Sequence, residues 1–109
     1  STAVYPALDS RPAALSRRIA TGELRRRLGF RGVSVSDALD TPALAASGGT
    51  ATVAVSAARA GTDLLLFTGS AAGGRAARGI AAALERGSLS RAAAEAAVAR
   101  IMALRARVP

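Results

Sequence analysis

Four aspartates, three glutamates and fifteen arginines carry all the formal side-chain charge of this chain of 109 residues. Histidine, cysteine and lysine are absent. No Ser-His-Asp or Cys-His triad, imidazole or thiolate metal site, or disulfide can therefore form within it. The carboxylates sort by position. Asp37 ends an alternating segment, Gly32-Val33-Ser34-Val35-Ser36-Asp37, that reads as a strand with Val33 and Val35 on one face. Asp40 follows in the loop and reads as a turn or cap residue. Asp63 opens the apolar run Leu64-Leu65-Leu66-Phe67. Glu23, Glu85 and Glu95 fall on helical stretches and read as solvated. Parallel α/β folds collect their chemistry at the carboxyl ends of strands, which singles out Asp37 and leaves Asp63 at the structural end. A strand-end Asp often only caps the next turn, so position alone does not assign Asp37 a role.

A second candidate is Gly69-Ser70-Ala71-Ala72-Gly73-Gly74-Arg75, expected as a small-residue loop after the second strand. Its amides, with Arg75, suggest a phosphate or nucleotide cradle. It matches neither GxxxxGK[ST] nor GxGxxG, so a plain βα loop is the favoured reading. The net charge of +8 raises polyanion binding as another alternative. Only Arg25-Arg26-Arg27 form a dense run, however, and Tyr5, Phe30 and Phe67 are the only aromatics. Phe30 and Phe67 sit beside apolar segments and read as core. Stacking binders of single strands need more, so no specific nucleic-acid partner is expected.

The elements that must hold these groups follow from pattern. Tyr5-Pro6 and Arg11-Pro12 keep residues 1–14 extended or irregular. Ser16 caps a helix running to about Leu28, with Leu15, Ile19, Leu24 and Leu28 on its buried side. Thr41-Pro42 starts a short helix that Gly48-Gly49 interrupts, and a second runs from Thr50 to Ala60, ending at Gly61. Thr62 to Thr68 is a strand, and its unalternating apolar run suggests burial on both faces. Helices follow at Ala76 to Arg86 and, capped by Ser90, at Arg91 to about Arg107. On the last, Val98, Ile101, Met102 and Val108 share one side. Strands about thirty residues apart with helices between them describe a parallel α/β fold. Two strands make no stable two-faced sheet, so partner strands are expected to be missing. Ser1 is not a methionine and no leader follows it, so the chain is expected to be cut from something longer. Its longest apolar run is too short to span a membrane.

Four stretches together resemble family 3 glycoside hydrolases, most closely the β-N-acetylhexosaminidase branch. They are Ser1-Thr2-Ala3-Val4-Tyr5-Pro6-Ala7-Leu8-Asp9, Pro12-Ala13-Ala14-Leu15-Ser16, Leu28-Gly29-Phe30-Arg31-Gly32-Val33-Ser34-Val35-Ser36-Asp37-Ala38-Leu39 and Ala60-Gly61-Thr62-Asp63-Leu64-Leu65-Leu66. The third is the specific one. The resemblance implies the C-terminal part of a (β/α)8 TIM barrel. Ser1 to Val4 would end strand six, Val33 to Asp37 would be strand seven and Leu64 to Thr68 strand eight, with the earlier strands lying outside the chain. It also implies that Asp37 is the catalytic nucleophile of a retaining glycosidase and that the substrate is a carbohydrate. It calls for no cofactor or metal. Ser36, or a cation from elsewhere in the barrel, would keep Asp37 ionised.

The branch's His acid/base and its Lys-His sugar-binding pair have no counterpart here, so the isolated segment is expected to be inactive. Ala38 replaces the usual second Asp, and Thr41 stands where Met is common. Hydrolysis of terminal β-linked N-acetylhexosamine is the leading expectation, with β-glucosidase activity as the alternative. A phosphate-, nucleotide- or polyanion-binding α/β module is the reading from another class.

Overall fold

A computed structural model describes residues 2–109. The expectation for Ser1 lies outside the described residues. The chain opens with a hairpin in which β1 (Val4–Tyr5) pairs antiparallel with β2 (Asp9–Pro12). Val4, the last residue of the expected strand six, lies in this hairpin, which among the described residues does not join the parallel sheet. A 3-10 turn (Ala13–Leu15) follows, with all three residues buried. Ser16 is fully buried at its end, donating its hydroxyl to Asp9 Oδ2 at 2.6 Å and accepting the Ile19 N–H at 3.2 Å.

The helix expected to run from Ser16 to Leu28 forms as a π-helix (Arg18–Arg27), and Leu28 N–H reaches back five residues to the Glu23 carbonyl. The wider winding changes which side chains face inward. Leu15 is buried, but Leu28 is 64 % exposed. Its basic run does not form a continuous patch either. Arg25 turns inward, Arg27 pairs with Glu23, and Arg26 faces solvent.

The second sheet is the parallel pair β3 (Val35–Ala38) and β4 (Leu64–Leu66). Between them run a 3-10 helix (Pro42–Ser47) and α1 (Thr50–Ala60), which ends at Gly61 as its sequence requires. Gly61 has φ 110°, and a Cβ there would strike the Thr21 hydroxyl, which donates to the Ala60 carbonyl at 2.7 Å. Only glycine fits both constraints.

Two clusters make the core. Ala14, Leu15, Leu39, Leu44, Val53 and Ala57 pack with Leu65 and Phe67. Val55, Ala83 and Leu89 pack with Ile80 and Leu84. The remaining helices are α2 (Ser70–Glu85) and α3 (Arg91–Arg105), the latter capped by Ser90, whose hydroxyl accepts Ala93 N–H at 3.2 Å.

Several expected burials are not met within this chain. β4 is covered on one face only: Leu65 and Phe67 reach the core, whereas Leu64 and Leu66 are exposed, as is Val35 on β3. Val98, Met102 and Val108 are likewise exposed. Phe30 stays partly in solvent and carries the Arg25 guanidinium 5.8 Å above its ring. Among the described residues no helix is long and apolar enough to cross a membrane.

Candidate active site

The parallel pair sorts the carboxylates by its two ends. At the amino end, Asp63 has no exposed side-chain surface. Arg100 of α3 grips it, Nη2 at 2.7 Å and Nε at 3.1 Å from Oδ1, and Arg25 Nη2 lies 2.5 Å from Oδ2. Ser34 N–H adds a bond at 3.0 Å. Burial pushes this carboxyl upward, but the Arg100 hydrogen bonds, the Ser34 amide and the two arginine charges outweigh it and hold the pKa below the usual carboxylate value. Among the described residues its ionic partners are Arg25 and Arg100, and with its carboxylate fully buried between them it forms a structural knot. A cavity of about 450 Å³ adjoins it, lined by Asp63, Arg100, Leu84 and Ile101 among others, and lies away from Asp37.

At the carboxyl end, Asp37 is exposed, in the last full turn of pleat of β3. Its position depends on an irregular register. Val35 aligns with Leu64 and Ala38 with Leu66, so β3 takes three steps where β4 takes two. The extra residue falls at Ser36-Asp37, and bulges of this kind re-aim side chains beside active sites. The gap in the ladder is filled by a side chain: Leu66 N–H donates to Ser36 Oγ at 2.9 Å. Ser36 is buried and its hydroxyl oxygen is engaged with β4. The Asp37 carboxylate is oriented by the backbone just after it, with Ala38 N–H donating to Oδ1 at 2.8 Å. Among the described residues no cation reaches Asp37.

Sequence reading treated Asp40 as a local turn or cap residue, but its partners lie 28 and 29 positions away. Its carboxylate accepts Thr68 N–H at 3.0 Å, Thr68 Oγ1–H at 2.7 Å and Gly69 N–H at 3.2 Å. These bonds, with the Thr68 amide first, outweigh the opposing effect of burial and lower its pKa from the ordinary value. The 3-10 helix that follows Asp40 has Thr41 at its cap position and no side-chain cap bond.

The glycine-rich stretch is corrected as well. Ser70 to Arg75 are helical, and Gly73 N–H is spent on the Gly69 carbonyl at 3.0 Å. Asp40 takes Gly69 N–H at the entry to α2, where a phosphate cradle would need free donors. A carboxylate at a helix N-terminus also suits the helix dipole. The phosphate-loop reading therefore has no loop to rest on.

The glycosyl hydrolase family 3 N-terminal domain model matches residues 1–104. The chain belongs to glycosyl hydrolase family 3. Because the match is to the family's N-terminal domain, the expectation of a C-terminal portion can refer only to a place within that domain. A relative from Arthroderma benhamiae, described as an uncharacterized secreted glycosyl hydrolase, is 43% identical over 99% of this chain and 31% of its own length. A beta-hexosaminidase from Chromobacterium violaceum is 46% identical over 58% of this chain and 18% of its own length. The solved family 3 β-N-acetylglucosaminidase from a Paenibacillus species superposes with a TM-score of 0.90 at 34% identity, covering 95% of this chain and 20% of that one. The α/β fold is thus that of known family 3 structures. The chain spans a third or less of the length of these relatives.

Proposed function

We propose that residues 1–109 form one piece of a family 3 (β/α)8 catalytic barrel, with β3 and β4 as its strands seven and eight. In the full-length protein this barrel is a retaining glycosidase with Asp37 as nucleophile. The observation that carries the reading is the exposure of Asp37 at the carboxyl end of a parallel strand, on a sheet face left open by this chain. Val35, Leu64 and Leu66 share that open side. Such a face fits the inner wall of a barrel whose other strands lie outside the segment.

In this mechanism the Asp37 carboxylate attacks the anomeric carbon as the bond to the aglycone oxygen breaks. The departing oxygen takes a proton from an acid outside residues 1–109, giving a covalent glycosyl-enzyme. Water then attacks the same carbon, surrendering a proton to that group, and Asp37 is released with the sugar configuration retained. The names of the Chromobacterium and Paenibacillus relatives favour a terminal β-linked N-acetylhexosamine over glucose as substrate.

The test uses the full-length protein with aryl glycosides. Turnover of the N-acetyl-β-glucosaminide should exceed that of the β-glucoside, and Asp37→Ala should lower kcat at least about a thousandfold, in the range expected for loss of a reacting group. The isolated segment should have no turnover. Wild-type rates in Asp37→Ala would remove Asp37 from the role, and preference for the glucoside would reassign the substrate.

A further inference from the structure

We propose that Asp40 is a positioning residue for Asp37: it pins the exit of β3 to the exit of β4 so that the nucleophile keeps its aim. The proposal rests on the reading of Asp37 as nucleophile. Only Ala38 and Leu39 separate the two aspartates. Asp37 is held by one bond, from the Ala38 amide, so its direction follows the path of the backbone just after it. That path is fixed at two points. Leu39 N–H donates to the Leu66 carbonyl at 2.9 Å, and the Leu39 side chain is buried in the core. One residue on, the Asp40 carboxylate gathers three donors from Thr68 and Gly69.

The ladder itself cannot do this work. It is irregular between Val35 and Ala38, where the extra residue leaves Leu66 N–H to a serine hydroxyl. It ends with the Leu39–Leu66 bond, and beyond that Asp40 joins the two strand exits. The same carboxylate fixes the entry to α2, so both loops rimming the candidate site share one anchor. A nucleophile displaced by about 1 Å can lose about a hundredfold in rate.

The experiment uses the full-length enzyme with Asp40→Asn, Thr68→Val, Thr68→Ser and the double variant Asp40→Asn/Thr68→Val. Asp40→Asn keeps the shape and loses the charge, and Thr68→Val loses the hydroxyl. Each should lower kcat about ten- to a hundredfold with KM within about threefold, consistent with mispositioning rather than lost binding. Thr68→Ser should restore most of the rate. The double variant should lose less than the product of the two single losses, because both variants disturb the Asp40–Thr68 contact. Rates are taken per folded enzyme, so a variant that only folds poorly shows a wild-type kcat, and that result overturns the proposal, as does a loss confined to KM. If Asp40→Asn does not fold, the contrast between Thr68→Val and Thr68→Ser decides.

Mass analysis of acid-quenched enzyme separates the two levels of the argument. A sugar adduct on Asp37 in wild type supports the nucleophile reading. Its absence there sinks that reading first, whereas an adduct together with normal kcat in Asp40→Asn sinks only the positioning role.

Discussion

Arg100 and Asp63 are 37 residues apart and meet through a two-pronged contact, with Nη2 2.7 Å and Nε 3.1 Å from the same carboxylate oxygen. This contact ties α3 to the start of β4, while Arg25 brings the π-helix to the other oxygen. Three elements that share little apolar packing are thus joined through one buried anion. Its arrangement resembles an internal knot more than a surface ion pair, and its energetics follow from burial. The carboxylate has been taken fully out of water and is matched by two cations and an amide.

Removing the anion leaves two partly buried guanidiniums uncompensated. Asp63→Asn in the full-length protein should therefore cost about 3–5 kcal/mol, read as a midpoint lowered by roughly 10 °C in thermal unfolding. Replacing the whole group with apolar residues, as in Asp63→Leu with Arg25→Met and Arg100→Met, should recover much of that loss. A triple variant less stable than Asp63→Asn would show that the charges add net stability.

Asp9 offers the pH test. Bonds from the Arg11 side chain, the Ser16 hydroxyl and the Arg11 amide hold its carboxyl well below the usual range. A depressed folded pKa gives stability that is fully present above the unfolded value, about 3.9, and is lost as pH falls through the folded value. The stability gap between wild type and Asp9→Asn should accordingly stay constant from about pH 5 to 8 and close below about pH 4. Denaturant melts across that range measure it, and a gap that widens in acid would contradict the assignment.

Gly61 tests the junction between α1 and the π-helix. Alanine there must adopt a left-handed backbone and displace the Thr21 hydroxyl from the Ala60 carbonyl. The backbone cost is about 1–2 kcal/mol, and the lost hydrogen bond adds about 1 kcal/mol. The double variant Gly61→Ala/Thr21→Ala should cost less than the sum of its parts, since the clash is removed with the hydroxyl.

These relationships also explain what the sequence could and could not disclose. α1 and its stop at Gly61 were legible because the glycines that bound it, Gly48-Gly49 and Gly61, act within a few residues. Asp37 was legible as a strand-end carboxylate for the same reason, through the alternation of Val33 to Asp37. The partners of Asp40 lie nearly thirty positions away, and the register irregularity beside Asp37 depends on how two strands meet. No local pattern encodes either. The open faces of β3, β4 and α3 are a different case: their apolar residues read as residues that pack, but in this chain they stand exposed, and no local pattern says which surface would cover them.

The clearest local misreading was the start of α2, and it leads to the last prediction. Gly73 and Gly74 suggested a loop, yet both lie inside the helix, where Ala72 and Ala76 are buried and Asp40 meets the first turn. Tertiary contacts have overridden the low helix propensity of glycine. Gly73 has nothing near its missing Cβ, so Gly73→Ala should stabilise the fold by about 0.5–1 kcal/mol. Six residues along the same helix, Gly79 lies against α1, where a Cβ would come 2.7 Å from Ala51 Cβ and 3.1 Å from its Cα. That contact forces the helices apart, so Gly79→Ala should destabilise by about 1–3 kcal/mol despite its better propensity. Opposite signs for the same substitution on one helix, measured by denaturant melts of the full-length variants, would establish that Gly79 is kept for close packing. Stabilisation by both would mean that α1 and α2 do not approach so closely.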